Sequence, residues 1–341
     1  MSDRTARAGF PKQRVGPHSL VRDRISRIVF LPSPSSPVTL APVRALTSSE
    51  HRSSVWSPSR TSVFTRAGAG VIVALLALAT PSAVAAQDGT DVVRLFNGKD
   101  LSTFYTWLVG DHRTDPDKVF TVVDAVDGAP AIRISGQKFG GLTTPDEYET
   151  YRLVVEFRWG AVTWKPRADR ARDSGVLVHC QGPDGGTRAD LNGPWMRSIE
   201  AQIIEGGTGD FLLVPGFERD GTKHTPEMTA TFTPDRDGEF VYDANGTSRV
   251  FSNGDRVNWS QRDPDWVDRL GYRGAREVEK PAGEWNRLEV VVESGRITNI
   301  LNGVVVNVGT NPSYTRGKIM IQSEGAEMFV RRVDLYPLPA K

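Results

Sequence analysis

The sequence predicts an all-β protein, a jelly-roll β-sandwich, in a single domain that spans residues 87–341 and has its core at 92–338. Two observations predict this fold class. Short runs of β-branched and aromatic residues are separated by Gly, Asn, Asp and Pro, and apolar residues alternate with polar ones within the runs. Little of the stretch has a helical period. So many strands in one domain must close up or fold over as two packed sheets.

The predicted strands follow one another at short intervals from residue 120 to residue 336. Ser294-Gly295 and Asn302-Gly303 predict tight turns that join three consecutive strands into a meander, since Asn-Gly readily adopts positive φ. We expect the terminal strands to meet, and the long irregular stretch 206–284 to form a binding rim. The predicted strands are 120–123, 131–135, 151–159, 175–180, 198–204, 229–233, 240–243, 287–293, 297–301, 304–308, 318–324 and 328–336.

Residues 1–86 hold eleven Lys and Arg against three Asp and Glu, unlike the rest of the chain. Residues 1–64, rich in Ser, Pro and Arg, predict a disordered basic leader. The simplest explanation of this leader is a start codon assigned too early, and a genuine basic extension is the alternative. Residues 65–86 are typical of a signal peptide, because Arg66 precedes a short apolar run with a cleavage site near Ala85 or Ala86. We therefore expect export to the periplasm or the extracellular space; an uncleaved anchor is the alternative.

Residues 87–341 carry 31 Lys and Arg against 38 Asp and Glu, without a basic stripe. This charge distribution argues against nucleic acid, since phosphates are bound by clustered basic residues. A saccharide fits better. The single cysteine, Cys180, excludes an intrachain disulfide and a Cys-based metal site. The sequence predicts no metal site, no cofactor motif, no stable membrane span after cleavage and no obligate protein partner, although a divalent cation is compatible with it.

The strand at 198–204 carries the first catalytic candidate. Period-two alternation places Glu200 and Gln202 on one face, opposite the apolar residues that can join the core. A carboxylate beside an amide is suited to sugar hydroxyls or to proton transfer. An ordinary solvated strand face is the alternative interpretation.

The strand at 175–180 carries the second catalytic candidate, His179. Alternation places Leu177 and His179 on one face, opposite Val176, Val178 and Cys180. His179 is the best candidate for a general base. A structural histidine is the alternative, and only proximity to Glu200 would favour the catalytic role.

Six further residues are candidates for substrate binding. Carboxylates, amides and an arginine can hydrogen-bond sugar hydroxyls, and an aromatic face suits the apolar face of a pyranose ring. A cross-strand ion pair is the alternative for the pair at 156 and 158. The candidates are Arg158, Gln202, Glu156, Trp195, Gln322 and Glu324.

Between residues 92 and 338 the chain resembles the 3-keto-disaccharide hydrolase family in the order of its motifs. The segments that carry the resemblance are Leu95-Phe96-Asn97-Gly98-Lys99-Asp100-Leu101, Tyr151-Arg152-Leu153-Val154-Val155-Glu156-Phe157-Arg158-Trp159, Asp173-Ser174-Gly175-Val176, Ile199-Glu200-Ala201-Gln202-Ile203, Gly283-Glu284-Trp285-Asn286, Leu301-Asn302-Gly303 and Ile319-Met320-Ile321-Gln322-Ser323-Glu324-Gly325. The resemblance implies the concanavalin A-like jelly roll of lectins and glucanases.

The resemblance also implies an activity, the cleavage of glycosides whose sugar is oxidised at C3. The ketone acidifies the C2 proton, so a base can remove it, the C1 group can leave, and water can add back. Such chemistry needs a base, for which His179 or Glu200 are candidates, and a positive charge beside the enolate, from Arg158 or a bound cation. A non-catalytic carbohydrate-binding module of the same fold is the alternative function.

Overall fold

The structure, a computed structural model, describes residues 92–339, and within them it contains strands and no helix. The strands are β1 (Val93–Arg94), β2 (Tyr105–Leu108), β3 (Phe120–Val126), β4 (Ala129–Ile134), β5 (Gly140–Thr143), β6 (Tyr151–Thr163), β7 (Asp173–Gln181), β8 (Arg197–Ile204), β9 (Phe211–Val214), β10 (Gly216–Phe217), β11 (Lys223–His224), β12 (Glu227–Pro234), β13 (Phe240–Tyr242), β14 (Thr247–Ser252), β15 (Arg256–Val257), β16 (Asn286–Glu293), β17 (Arg296–Leu301), β18 (Val304–Thr310), β19 (Lys318–Ser323) and β20 (Ala326–Pro337). The predicted leader and signal peptide lie outside these residues.

Two antiparallel sheets form the sandwich. The eleven-stranded sheet has the order β13-β12-β18-β17-β16-β6-β20-β4-β3, with β1 on β20 and β14 on β12, and the seven-stranded sheet has the order β15-β9-β8-β7-β19-β5-β2. The chain crosses between the sheets at each step from β4 to β7 and from β18 to β20. This repeated crossing is the wrap of a jelly roll, so the predicted fold class is confirmed.

All twelve predicted strands are present. The meander is β16-β17-β18, and the turn between β17 and β18 has φ values of 49° at Asn302 and 84° at Gly303, as the Asn-Gly pair predicts. The terminal strands meet, because β1 pairs with β20. The irregular stretch 206–284 carries β9 to β15, most of which are short. The alternation of apolar and polar residues predicted only β12 and β13 among them.

One large hydrophobic cluster fills the space between the sheets. On β8 the side chains of Ile199, Ala201 and Ile203 join it, and on β6 those of Val155 and Phe157 do. Since neighbouring residues of a strand point to opposite faces, the intervening residues point away from the core. Glu200 and Gln202 therefore project from the outer face of the seven-stranded sheet.

Within the part of the chain that is described, no helix has the length and apolar character needed to cross a membrane.

Candidate functional site

The outer face of the seven-stranded sheet brings together Glu200 of β8 and Gln322 of β19. Both side chains lie over Gly175 of β7, the strand between them. A Cβ atom on residue 175 would overlap Glu200 Oε1 and Gln322 Oε1. Glycine at this position therefore lets a carboxyl group and an amide meet above the middle of the sheet.

Glu200 is 3 % exposed, and burial is the main cause that raises the pKa of its carboxyl group to about 8. The negative charge of Asp173 raises this pKa further, whereas Arg256 and the adjacent Gln322 amide oppose the shift. A carboxyl group in this range exchanges a proton near neutral pH, where a general acid or base is most effective.

Asp173 begins β7 and lies beside Gln202, which is the register partner of Gly175. Gln202 Nε2 donates a hydrogen bond of 3.1 Å to Asp173 Oδ1, and Arg167 Nη2 lies 3.1 Å from Asp173 Oδ2. Burial raises the pKa of Asp173 despite the positive charge of Arg167. Gln202 thus binds a carboxylate with its amide nitrogen.

Glu324 follows β19 and completes a group of three carboxyls, Asp173, Glu200 and Glu324, which we call the carboxyl cluster. Burial raises the pKa of Glu324 well above its ordinary value, and the charges of Asp173 and Glu200 add to the shift. Like charges disfavour the ionisation of all three carboxyls together. The cluster is therefore suited both to accepting and to donating a proton.

Arg256 of β15 carries a positive charge that acts on all three carboxyls, whereas the charge of Arg167 acts on Asp173 and Glu324. Asp210, which is fully buried, accepts hydrogen bonds of 3.0 Å from Arg256 Nη1 and 3.1 Å from Arg262 Nη1. Asp210 also accepts a 2.8 Å hydrogen bond from the Trp259 backbone nitrogen. These contacts hold the guanidinium of Arg256 in place beside the cluster.

Several polar atoms of the site are buried without a hydrogen-bond partner among the described residues: Gln202 Oε1, Gln322 Oε1 and Gln322 Nε2. Leaving such an atom unpaired costs free energy of roughly 1–3 kcal/mol. A bound ligand with hydroxyl groups could donate to and accept from these amides. No three or more His, Cys, Asp and Glu side chains of residues 92–339 are arranged to hold a metal ion.

Trp195 lies on the outer face of the seven-stranded sheet, next to the strands that carry the carboxyl cluster. It packs against Leu177, Cys180, Met196 and Met320, and its Nε1 donates a 3.2 Å hydrogen bond to the Gly140 carbonyl. The structure thus brings Glu200, Gln202, Gln322, Glu324 and Trp195 to one face of one sheet.

The predicted orientation of His179 is wrong. An extra residue bulges β7 between Val178 and Gln181, and His179 has a φ of 53°. The bulge reverses the alternation, so Cys180 joins Leu177 on the outer face and the His179 ring packs edge-on against the core residue Tyr151 at 6.4 Å between ring centroids. His179 Nδ1 contacts the Tyr314 carbonyl at 2.5 Å, and burial lowers the pKa of the imidazole.

The expected position of Arg158 beside the reacting sugar is also wrong, and Glu156, a candidate for substrate binding, lies with Arg158 away from Glu200. Both residues lie on β6, whose inward residues fill the core, so they project from the outer face of the eleven-stranded sheet. Arg158 Nη1 donates a 2.7 Å hydrogen bond to Asp127, and Glu156 accepts one of 2.7 Å from Arg331 Nε on the neighbouring β20. Glu156 forms a cross-strand ion pair, the alternative considered above, whereas Arg158 pairs with Asp127 in the turn between β3 and β4.

Sequence analysis missed three site residues, Asp173, Arg167 and Arg256. The alternation of faces along β7 could have identified Asp173 as a site residue, because Asp173 shares a face with Gly175 and Leu177. Arg167 lies in the loop before β7, and Arg256 lies in the irregular stretch 206–284, where no period defines a face.

The model of a known family, described as the 3-keto-alpha-glucoside-1,2-lyase-like domain, matches residues 91–335. No curated protein matches the chain. Among solved structures, similar ones include a protein from Parabacteroides distasonis ATCC 8503 that is provisionally called a glycosyl hydrolase, with 18 % identity over 73 % of this chain and 94 % of that one at a TM-score of 0.39.

Two further similar structures have more distant sequences. The carbohydrate-binding module CBM66 from Bacillus subtilis has 9 % identity over 63 % of this chain and 91 % of that one, with a TM-score of 0.31. The kappa-carrageenase from Pseudoalteromonas carrageenovora has 11 % identity over 76 % of this chain and 99 % of that one, with a TM-score of 0.36. The family match covers most of the chain, and it agrees with the motifs identified above: this chain belongs to the 3-keto-disaccharide hydrolase family, whose domain it carries at residues 91–335.

Proposed function

We propose that the protein cleaves 3-keto-glycosides at the carboxyl cluster, by elimination followed by addition of water. The observation that carries the proposal is the position of Glu200, a buried carboxyl group with its pKa raised to about 8 beside two other carboxyls and two amides with unpaired atoms. Membership of the family supports a carbohydrate-active function in general. The proposal adds the reaction and the roles of the residues.

In the first step ionised Glu200 removes the C2 proton, which the C3 ketone acidifies. The electron pair of the C2–H bond forms the enolate, whose charge Arg256 and Arg167 offset. The C1–oxygen bond then breaks, and the leaving oxygen takes a proton from Glu324, whose pKa burial raises well above its ordinary value. The sugar remains in the site as an unsaturated ketone, and the free alcohol leaves.

In the second step water adds across the new double bond. Its hydroxyl joins C1, its proton goes to the ionised Glu324, and C2 recovers a proton from Glu200. The net reaction consumes one water and yields the 3-keto sugar and the free alcohol. Gln202 and Gln322 hold the ring through hydrogen bonds to its hydroxyls, which would satisfy the amide atoms that lack a partner.

The structure offers one reason to prefer catalysis over a purely binding module. Binding of a neutral sugar does not need a cluster of three carboxyl groups with raised pKa values, two of them buried, and keeping them costs stability. Perturbed titratable groups that cluster in this way are typical of sites that transfer protons.

The test is to incubate the purified protein with maltose and with maltose oxidised at C3 of its non-reducing unit, and to measure released glucose. We expect release from the oxidised sugar only. Equal release from both sugars contradicts the enolate mechanism. Binding of both sugars without any release supports the binding module instead.

A further inference from the structure

A cavity separate from the carboxyl cluster opens on the same side of the sandwich. Its volume is about 550 Å³, and it lies between the end of β2 and the loop that joins β7 to β8. Its lining includes Trp107, Arg113, Asp184, Asp190, Asn192 and Arg219. Nothing in the proposed reaction uses these residues.

Hydrogen bonds between the two walls hold the cavity open in a fixed shape. Trp107 Nε1 donates a 2.9 Å hydrogen bond to the Gly193 carbonyl, and the Gly110 nitrogen donates one of 3.1 Å to Asn192 Oδ1. Asp184 accepts hydrogen bonds of 2.8 Å from the Tyr105 hydroxyl and 2.6 Å from Arg113 Nη2. A preformed cavity loses less entropy when a ligand binds.

The lining charges indicate a neutral ligand. Two arginines, Arg113 and Arg219, are balanced by two carboxylates, Asp184 and Asp190. Arg219 makes no hydrogen bond or ion pair with the described residues, so its donors remain available, as does Asn192 Nδ2. A flat aromatic surface is also present, because the exposed His112 ring stacks on Trp107 at 4.6 Å with an interplanar angle of 3°.

Strand register connects this cavity to the carboxyl cluster. Trp107 of β2 pairs with Gly141 of β5, and Gly141 pairs with Gln322 of β19. Gln322 in turn lies over Gly175 of the next strand. Trp107 and Gly175 are therefore three strands apart in one row, roughly 14 Å at the usual strand spacing. A chain of a few pyranose rings spans that distance.

We propose that the cavity is a distal subsite that binds a neutral sugar unit of the glycan whose oxidised unit occupies the carboxyl cluster. The preferred substrates are then oligosaccharides longer than a disaccharide. This inference rests on the proposed function for the identity of the reacting unit, although its own evidence is the cavity and its register with Gln322.

The test measures binding to the wild-type full chain, because the unoxidised probes are not expected to be cleaved. The probes are unoxidised α-linked gluco-oligosaccharides of two to five units, titrated by calorimetry. We expect Kd to fall as the chain lengthens, and we expect Arg219→Ala with Asn192→Ala to weaken binding of the pentasaccharide roughly tenfold more than that of the disaccharide. Arg276→Ala, which removes an arginine from a different cavity, is the matched control and should change neither constant.

Binding that does not depend on length, or that the Arg219 and Asn192 variants weaken equally for all lengths, overturns the distal subsite. A complete lack of binding does so too. These outcomes are separable from a failure of the proposed function. Suppose the wild type cleaves no 3-keto-glycoside and still binds longer chains more tightly in a way that requires Arg219. That result supports the distal subsite and contradicts the proposed reaction.

Discussion

Gly175 and Glu200 lie on neighbouring strands, and the Glu200 carboxyl group occupies the space that a Cβ atom on residue 175 would need. The contact is made possible by the absence of a side chain, and it fixes where the carboxyl group sits. The Gln322 amide uses the same space from the other side. The site therefore depends on a residue that contributes no functional group of its own.

We expect Gly175→Ala to lower kcat/KM by roughly 10²-fold, because a displacement of about 1 Å at a reacting group has effects of that size. Gly309→Ala, in the eleven-stranded sheet, is the matched control: its new methyl group would meet the side chain of Met228 and leave Glu200 in place. Circular dichroism and melting temperature establish that both variants fold. Wild-type turnover by a folded Gly175→Ala protein contradicts the proposed position of Glu200.

The regular strands were predictable from the sequence, and the irregular ones were not. Alternation placed Glu200 and Gln202 correctly because β8 is paired without a break where they lie. It failed at His179, where one extra residue reverses the faces of β7. Alternation also defines only which residues share a face of a strand, not which sheet the strand joins. For this reason the expected place of Arg158 beside the enolate was wrong.

The positive charge beside the reacting sugar is expected to come from Arg256. Arg256→Ala should lower kcat by roughly 10²-fold, the usual effect of removing a group that stabilises a developing oxyanion. Arg158→Ala should leave kcat unchanged, since Arg158 projects from the other sheet and pairs with Asp127. Steady-state kinetics on a 3-keto-disaccharide make the comparison. Loss of activity in Arg158→Ala alone would reverse the assignment.

Stability should depend on pH through Glu200. Its pKa is about 8 in the folded protein against an ordinary value of 4.5, so between these values the folded state holds a proton that the unfolded state has lost. The free energy of unfolding therefore falls as pH rises through this window, by about 1.4 kcal/mol per pH unit for one proton, and levels off above it. Urea titrations at several pH values should show a smaller slope for Glu200→Gln, and an unchanged slope would mean that the carboxyl group is not buried in a protonated form.

Export is a separate prediction, motivated by the basic residue, short apolar run and Ala-rich end of residues 65–86. We propose that cleavage near Ala85 or Ala86 yields a mature protein that begins near Gln87. N-terminal sequencing of protein purified from its native host measures this directly. Peptides derived from residues 1–64 in the mature product would contradict it.

The decisive comparison for catalysis pairs Glu200 with Glu279. Burial raises the pKa of both carboxyl groups to about 8, but Glu279 accepts hydrogen bonds from Trp159 Nε1 at 2.6 Å and from Thr208 Oγ1 at 2.7 Å, away from the carboxyl cluster. Glu200→Gln and Glu279→Gln therefore remove equivalent groups from different surroundings.

We expect Glu200→Gln to lower kcat on a 3-keto-disaccharide by roughly 10²–10⁴-fold, the contribution of a general base. A carboxylate that merely hydrogen-bonds the sugar would instead raise KM and leave kcat largely intact. Glu279→Gln should change the melting temperature and leave kcat unaffected. If a folded Glu200→Gln protein keeps wild-type kcat and KM, the base is another member of the cluster, and Glu324→Gln becomes the variant that must abolish turnover for the proposed reaction to stand.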